Sequence, residues 1–204
     1  MIWQFDESVA KRFQHEAITN IPDYERVISL CIDIVNNNYP KETKIVDVGS
    51  ALGYTMDRFI QNGYTNVCGI ESSQSMIDQS LHKERIIKSE SFVGNYNVVL
   101  MNWTLHFIKD KWKYVDSIYE SLDRNGILIL TDKTNQSGIV KEIYYNFKRN
   151  NNISDEYIYE KESKLKGYMF TEDVSSYLAN LKWIGFNVEI INASCGFVTF
   201  LCSK

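Results

Sequence analysis

The sequence is poor in proline, in closely spaced cysteines and in long apolar runs, and each shortage excludes a class of protein. Two of its 204 residues are proline, too few for a proline-rich linker between domains. Its four cysteines are scattered, without the C-x-x-C spacing of zinc or redox sites. No apolar run approaches the roughly 18 residues that a membrane span requires. We therefore expect one domain that holds no metal and does not cross a membrane.

The chain has no excess of positive charge. It carries 22 lysines and arginines against 26 aspartates and glutamates, a formal net charge of −4. A charge of this sign gives no general attraction for nucleic acid, so we expect a small-molecule substrate and no direct nucleic-acid binding. The N-terminal residues include early charges and no apolar core, unlike a signal peptide. The expected location is therefore cytoplasmic.

One stretch organises the rest of the chain: residues 45–53, with the sequence IVDVGSALG. Its first residues are mostly β-branched, which is typical of a buried parallel strand. Gly49 and Gly53 then allow a tight turn in which a ligand can approach the backbone. A strand, a glycine turn and a helix in this order often hold a nucleotide-like cofactor, although such glycines also serve purely steric needs. Their G-x-x-x-G spacing differs from the G-x-G-x-x-G of dinucleotide dehydrogenases.

Strands and helices alternate from this point, which predicts an α/β protein with a parallel sheet and right-handed crossovers. The predicted strands are 44–48, 66–70, 85–88, 97–101 and 127–131, the last after a turn at 125–126. The predicted helices between them are 54–62, 73–81 and 111–122. Two later strands, 186–191 and 197–202, are close enough along the chain to pair as a terminal antiparallel hairpin.

Helical segments flank this alternation. Apolar residues at helical spacing predict helices over 5–19 and 23–37, which form a cap over one end of the sheet. One or two tyrosine-rich helices follow at 138–165, and another spans 171–183 with Thr171 as its cap. We therefore expect a single domain over residues 1–204, with a helical cap at 1–40 and a helical insertion at 138–183.

Polar residues end the predicted parallel strands, where open α/β sheets bind their ligands. Glu71 is the most informative of them, because an acidic side chain about 20 residues after a glycine turn can accept both hydroxyls of a ribose. Its alternative role is to stabilise the N-terminus of the next helix. The other polar or turn residues at strand ends are Asp47, Gly49, Ser50, Ala51, Ser89, Glu90, Asn102, Trp103, Thr104, Asp132 and Lys133.

Several of these positions allow two interpretations. Asp47 and Asn102 belong to apolar strands, so each needs either backbone partners or a ligand. Ser89 suits the edge of an adenine or a loop turn. His106 lies just past the fourth strand, where an acceptor substrate would enter, or it is structural. The lysines between 148 and 166 suit either an anionic substrate or a solvated helix face.

Together these residues resemble the class I S-adenosylmethionine (SAM)-dependent methyltransferases. Within them the chain is similar, from about residue 3 to residue 203, to the carboxy-S-adenosyl-L-methionine (carboxy-SAM) synthases of tRNA wobble-uridine modification, long described as methyltransferases. The most specific matching blocks are N-x-T-L-x-F at 102–107 and F-K-R at 147–149. The other matching positions are 5–7, 9–10, 21–22, 24, 47–53, 76–77, 133, 185–186 and 197.

The resemblance implies a Rossmann-like class I methyltransferase fold, SAM or carboxy-SAM as the cofactor, and a homodimer with subunit contacts through residues 138–165. The glycine turn and its flanking residues, including Asp47 and Gly53, would contact the cofactor. The resemblance also implies that Tyr24 covers the cofactor. The acceptor substrate would be bordered by Thr104 and His106, which are the candidate catalytic residues. The SAM pocket that the resemblance implies is formed by Tyr24, Gly49, Ser50, Ala51, Glu71, Ser72, Ser89, Glu90 and Asn102.

The chain departs from the family pattern at Glu162. The family has an arginine there, directly after the position of Lys161, and that arginine pairs with the carboxylate of carboxy-SAM. A glutamate repels a carboxylate, and a nearby lysine lacks the bidentate fork of arginine. Three functions follow: a SAM-dependent methyltransferase with an unidentified acceptor, a carboxy-SAM synthase that uses SAM and prephenate, or a SAM-binding or partner-binding domain without catalysis.

Overall fold

The computed structural model describes residues 6–204, and seven strands within them form one sheet. The strands are β1 (Ile45–Val48), β2 (Val67–Glu71), β3 (Ile86–Lys88), β4 (Tyr96–Asn102), β5 (Leu122–Lys133), β6 (Asn187–Ser194) and β7 (Phe197–Ser203). Their spatial order is β3-β2-β1-β4-β5-β7-β6. The pairs among β1 to β5 are parallel, whereas β7 runs antiparallel to both β5 and β6. The predicted α/β fold with its terminal hairpin is therefore confirmed.

Nine α-helices surround this sheet within the described residues. They are α1 (Glu7–Ala10), α2 (Phe13–Asn20), α3 (Tyr24–Asn38), α4 (Tyr54–Gln61), α5 (Gln74–Gln79), α6 (Lys111–Ser121), α7 (Gly138–Asn150), α8 (Asp155–Leu165) and α9 (Val174–Ile184). Short 3₁₀ turns cover Lys83–Arg85 and Leu105–Phe107. None of the helices in residues 6–204 combines the length and apolarity that a bilayer span needs.

Three differences from the predictions concern the N-terminal helix, the turn before the core of β5 and the cap of α9. The single helix expected over 5–19 is two helices, α1 and α2, and its first residue lies outside the described part of the chain. The expected turn at 125–126 lies inside β5, which begins at Leu122 because that residue already pairs with Tyr96 of β4. Thr171 does not cap α9: Asp173 precedes that helix, and the Thr171 hydroxyl donates to Asn135 Oδ1 at 2.8 Å.

Both faces of the sheet are covered by helices, which explains why the central strands are apolar on both sides. One face packs against α6 and α9 through residues such as Val115, Ile118 and Leu181. The other packs against α3 and α4 through Ile28 and Phe59. Because β1 to β5 are parallel, their polar carboxyl ends meet at one edge of the sheet.

A separate small cluster attaches the insertion to the sheet. It contains Tyr144 and Tyr145 of α7, Ile158 of α8 and Phe197 at the start of β7. These contacts hold α7 and α8 above the carboxyl ends of the parallel strands, opposite the cap formed by α1 and α2. Cap and insertion together enclose the space over the strand ends.

Candidate active site

A cavity of about 1190 Å³ lies at the carboxyl ends of the parallel strands. The cap, the strand ends and the insertion all contribute to its lining. Twelve of the thirteen site residues expected from the sequence line it: Tyr24, Asp47, Gly49, Ser50, Ala51, Glu71, Ser72, Ser89, Glu90, Asn102, Thr104 and His106. The exception is Gly53, which precedes α4 with φ +78° and packs toward Ser80. Gly53 therefore shapes the turn without facing the cavity.

The glycine turn requires Gly49 for two physical reasons. Its φ of +70° lies in the left-handed region, which side chains with a Cβ rarely adopt. A Cβ at this position would also collide with the Thr104 side chain. The Thr104 hydroxyl lies 3.2 Å from the Val48 carbonyl and 3.1 Å from the Asn102 carbonyl, so it braces the ends of β1 and β4. Its hydroxyl thus already has partners within the protein.

Glu71 is held rigidly at the end of β2. One carboxylate oxygen accepts the backbone N–H of Ala51 at 2.9 Å, and the other accepts those of Ser72 and Ser73, both at 2.8 Å. The side chain is buried and lines the cavity. Oε2 accepts only the Ala51 N–H and so has a further lone pair, whereas both lone pairs of Oε1 are used. The carboxylate can therefore still accept a hydrogen bond from a ligand.

Asp47 lies near Glu71 and forms with it the acid end of the cavity. Burial raises the pKa of Asp47 to about 8, and the charge of Glu71 acts in the same direction. An acid kept from ionising by burial and by a second acid is well placed to face a cation, since a positive ligand would relieve both effects.

The buried polar atoms that lack a hydrogen-bond partner among the described residues also point to a ligand. Buried polar groups are nearly always paired in native proteins, so unpaired ones require an explanation. All five of these atoms belong to residues that line the same cavity: Gln14 Nε2, Asn20 Oδ1, Ser50 Oγ, Asn102 Oδ1 and Trp103 Nε1.

Trp103 adds backbone strain to this group. Its φ is +56°, a conformation that is unfavourable for a bulky side chain. The backbone is held there by a hydrogen bond from its N–H to the Thr131 carbonyl at 2.6 Å. The indole stacks on Tyr24 of the cap, with ring centroids 4.6 Å apart. Such strain is common where a side chain is positioned for a ligand.

The neighbouring residues after β3 are ordered by their own loop. The Ser89 hydroxyl donates to the Ser91 carbonyl at 2.8 Å and accepts the Ser91 N–H at 3.1 Å. This arrangement matches the loop-turn interpretation of Ser89, although the residue also lines the cavity beside Glu90.

The opposite end of the cavity is basic. Lys133 follows the core of β5, and Lys148 lies on the buried face of α7. Their ammonium groups lie 4.9 Å and 4.3 Å from the centroid of the Tyr144 ring. Burial lowers the pKa of Lys133 to about 8 and that of Lys148 to about 7. We call these two residues the lysine end.

Neither lysine of this end has a carboxylate within ion-pair distance in the described part of the chain. Buried ammonium groups are costly when they are left unpaired. The lysine end is therefore suited to an anion, as the acid end is suited to a cation.

The residues around Glu162 are paired with one another at the rim. Glu162 forms an ion pair with Lys141 and accepts a hydrogen bond from the Tyr145 hydroxyl. Lys161 is bound to Glu16 of the cap at 2.7 Å, and Lys164 pairs with Glu160 at 2.6 Å. The two lysines that might replace the family arginine therefore already have acidic partners.

Known proteins resemble this chain in sequence and in fold. The model of a family described as a methyltransferase domain matches residues 23–184. A carboxy-SAM synthase of Shewanella sediminis is 30% identical, over 90% of this chain and 85% of that protein. One of Nautilia profundicola is 26% identical, over 99% of this chain and 94% of that protein. The chain belongs to the methyltransferase family and, within it, to the carboxy-SAM synthase family.

Solved structures agree with this family assignment at the level of the fold. A protein from Methanococcus maripaludis is described provisionally as a SAM-dependent methyltransferase. Its structure has a TM-score of 0.71 at 15% identity and covers all of this chain. The match extends over 95% of that structure. The magnesium protoporphyrin IX methyltransferase of Synechocystis, solved with bound S-adenosylhomocysteine, has a TM-score of 0.70 at 12% identity. It matches over 98% of this chain and 96% of its own. The predictions of a class I methyltransferase fold and of a SAM-dependent transferase are thus confirmed.

The cavity fits the cofactor of this methyltransferase family. SAM is a cation at its sulfonium and at its ammonium group, and it carries a ribose diol and an adenine. The acid end offers two carboxylates, and the unpaired atoms of Ser50, Asn102 and Trp103 offer further donors and acceptors beside them. The donor set present therefore suits SAM.

Sequence reasoning missed several residues of the methyltransferase site. Gln14 and Asn20 lie on the cap helix α2, and Tyr144 lies on α7. These residues belong to helices far from the glycine turn in sequence, and only the packing of cap and insertion brings them to the cavity. Two signals were available for Lys148: the F-K-R block marked that part of α7 as similar to the family, and the lysines between 148 and 166 suited an anionic substrate or a solvated helix face.

Proposed function

We propose that the protein is a SAM-dependent transferase that binds SAM at the acid end of its cavity and an anionic second substrate at the lysine end. The observation that carries this proposal is that every described buried polar side-chain atom without a partner belongs to a residue that lines this one cavity. Because the two ends of the cavity carry opposite charges, the acid end attracts the cationic SAM and the lysine end attracts the anionic substrate.

In this proposal, the residues expected from the sequence line the SAM site. Glu71 accepts a hydrogen bond from the ribose, and the backbone of residues 49–51 receives the amino-acid part. Ser72, Ser89 and Glu90 border the adenine. Asp47 and Asn102 face the charged centre of the cofactor, and Tyr24 covers it, supported by its stacking on Trp103.

SAM supplies an electrophilic methyl group, so the protein needs mainly to align the acceptor and exclude water. Trp103, Thr104 and His106 border the space between the two charged ends. Lys133 and Lys148 orient the acceptor through its negative charge. The cap and the insertion, joined by the ion pair of Glu16 with Lys161, keep water out.

Carboxy-SAM synthesis is the second candidate, and the lysine end favours it specifically. Prephenate carries two carboxylates, and two buried lysines without acidic partners suit such a ligand. Glu162 is held at the rim by Lys141 and Tyr145 and so is prevented from facing the carboxylate freely. The arginine fork of the family is still missing, so methyl transfer to an anionic acceptor stays the first candidate.

Titration calorimetry with SAM tests the placement of the cofactor. We expect Glu71→Ala to weaken SAM binding by about 10-fold or more, because one hydrogen bond accepted by a carboxylate is worth about 1.5 kcal/mol or more. Glu71→Asp, which keeps the charge, should retain most of the affinity. Glu84→Ala is the matched control, since Glu84 is exposed and lies outside the cavity lining. Equal affinity of Glu71→Ala and wild type would contradict the proposal.

Mass spectrometry of the nucleoside products separates the candidates. Incubation with SAM and prephenate gives carboxy-SAM if the second candidate is correct. S-adenosylhomocysteine formed from SAM and a panel of carboxylic acids supports methyl transfer. Binding of SAM with neither product in any incubation would favour a non-catalytic domain.

We also propose a homodimer formed through α7 and α8. Ile139 and Ile143 lie one turn apart on α7 and are 77% and 51% exposed, and Tyr159 of α8 is 52% exposed. Apolar side chains grouped on adjacent helices are typical of an interface. Sedimentation velocity should give a dimer for the wild type and a monomer for Ile139→Asp. A monomeric wild type at micromolar concentration would refute the interface.

A role in tRNA modification and a cytoplasmic location stay predictions.

A further inference from the structure

A buried network of three side chains stands beside the acceptor space. His106 Nδ1 forms a short hydrogen bond with Asp132 Oδ1. The other carboxylate oxygen, Oδ2, accepts the Tyr177 hydroxyl at 2.6 Å. Asp132 and Tyr177 are fully buried, and His106 is 4% exposed. Of the three, His106 alone lines the cavity.

The network fixes which nitrogen of His106 is free. Because Nδ1 faces the Asp132 carboxylate, it carries a proton, and Nε2 is left without a proton when the ring is neutral. The Phe107 ring packs against the imidazole, with ring centroids 4.3 Å apart. The backbone at this position is fixed because the His106 carbonyl accepts the Phe170 N–H at 2.7 Å. A fixed imidazole with one bare nitrogen is the usual form of a general base.

We propose that Asp132 and Tyr177 are positioning residues that hold His106 as the proton acceptor for the second substrate, which therefore bears a hydroxyl, thiol or amine. This inference rests on the proposed function, since it assigns the chemistry of the acceptor in the same cavity. It excludes an acceptor that has no proton to lose at the methylated atom.

The proton and the electrons balance as follows. Nε2 of His106 takes the proton from the acceptor X–H group, whose bonding pair forms the new bond from X to the methyl carbon. The pair of the broken bond between carbon and sulfur returns to sulfur, which becomes a neutral thioether. The imidazolium formed on His106 is stabilised by the Asp132 carboxylate and afterwards loses its proton to solvent.

Few other ionisable groups lie close to the network. Behind Tyr177, the Lys111 ammonium of α6 is 5.4 Å from the Tyr177 ring and is paired with Glu172. Burial and the adjacent Asp132 charge raise the pKa of Tyr177, so its hydroxyl stays a donor throughout the range in which histidine titrates. The Asp132 charge and the Tyr177 donor are therefore the main influences on the imidazolium.

Reaction with diethyl pyrocarbonate tests this arrangement without an identified acceptor, because the reagent acylates a histidine only at an unprotonated imidazole nitrogen. The full-length protein is treated between pH 5 and 8, and peptide mass spectrometry measures the rate at each histidine. His106 lines the cavity and its Nδ1 is bonded to Asp132, so we expect Nε2 to be open to the cavity and His106 to react despite its burial. His15 and His82 serve as internal controls, and His82 is informative because it pairs with Asp57 outside this cavity.

The two positioning residues should shift the pH midpoint of the His106 reaction in opposite directions. Tyr177→Phe keeps the ring stacked on Phe200 but leaves Asp132 less neutralised, so the midpoint should rise by about half a unit or more. Asp132→Asn removes the charge that favours imidazolium, so the midpoint should fall by about one unit or more. The midpoints of His15 and His82 should not move.

Two results would overturn the proposal: a His106 that does not react in the wild type, or midpoints that do not separate in this order. Circular dichroism confirms that each variant is folded. If Asp132→Asn does not fold, the proposal is tested by the rise of the His106 midpoint in Tyr177→Phe alone. SAM calorimetry on the wild type runs in parallel. If His106 does not react as expected but SAM still binds, only this inference is refuted. If SAM does not bind, the proposed function itself is refuted.

Discussion

Replacing Lys148 by methionine should stabilise the protein and abolish its binding of anions. Lys148 is 7% exposed and has no acidic partner in the described chain. Methionine has a similar length, favours helices and adapts to irregular spaces. The substitution therefore removes one of the two charges of the lysine end while it keeps most of the packing of α7.

The size of the effect follows from the environment of the ammonium group. Burial lowers the pKa of Lys148 from 10.5 to about 7, which corresponds to about 5 kcal/mol of destabilisation for the charged form. The contact with the Tyr144 ring returns about 2 kcal/mol. We therefore expect Lys148→Met to raise the free energy of unfolding at pH 7 by about 3 kcal/mol.

The pH dependence supplies an independent check. The folded-state pKa lies below the unfolded one, so the unfolded chain binds more protons between pH 7 and 10.5. The free energy of unfolding therefore rises with pH in this window, by about 2 kcal/mol between pH 7 and 9 from Lys148 alone. Lys148→Met should lose this part of the rise. The smaller contribution from Lys133 remains in both proteins and cancels in the comparison.

Urea denaturation at pH 7, 8 and 9 measures both quantities, and calorimetry with prephenate measures anion binding. Greater stability together with lost binding would identify a residue kept for function at a cost in stability. A destabilised Lys148→Met, or one with the same pH slope as wild type, would refute the view that Lys148 is an unpaired buried charge.

Two further predictions concern the acid end and the glycine turn. Because SAM is a cation, its binding should lower the Asp47 pKa from about 8 and release up to about one proton near pH 7. Calorimetry in two buffers of different ionisation enthalpy measures this proton release. The release should vanish in Asp47→Asn. Gly49→Ala should destabilise the protein by at least about 1 kcal/mol in thermal unfolding, because of its positive φ and the clash with Thr104. Gly138→Ala is the control, since a Cβ there meets nothing within 4 Å, and an equal loss in both variants would contradict the argument.

The local part of the cavity lining is the part that the sequence could place. Gly49, Ser50 and Ala51 form a turn whose shape is set by its own residues, and Glu71 ends the adjacent strand, so chain order places them together. Gly53 was assigned to the cofactor on the same pattern, yet it faces Ser80. A glycine spacing identifies a turn, but it does not say which side of the turn each glycine presents.

The insertion was harder to interpret. The sequence 138–165 alternates lysines, acids and tyrosines, so a solvated helix face and an anion site were both consistent with it. The structure separates them, because Tyr144 and Lys148 lie on the buried face of α7, whereas Arg149 pairs with Glu142 and Asp155 at the surface. Helical periodicity alone did not distinguish the two faces, since both carry charged residues.

The sequence by itself determined the order of strands and helices, the glycine turn and the acidic residue that follows it. These features depend on contacts within about 30 residues, which the pattern of apolar and polar residues records directly. Only the tertiary structure decided which charges are paired. Glu162 meets Lys141, Lys161 meets Glu16 more than 140 residues away, and Asp132 meets both His106 and Tyr177. Such pairings depend on how the cap and the insertion pack over the sheet, and burial then sets the cost of every charge left unpaired.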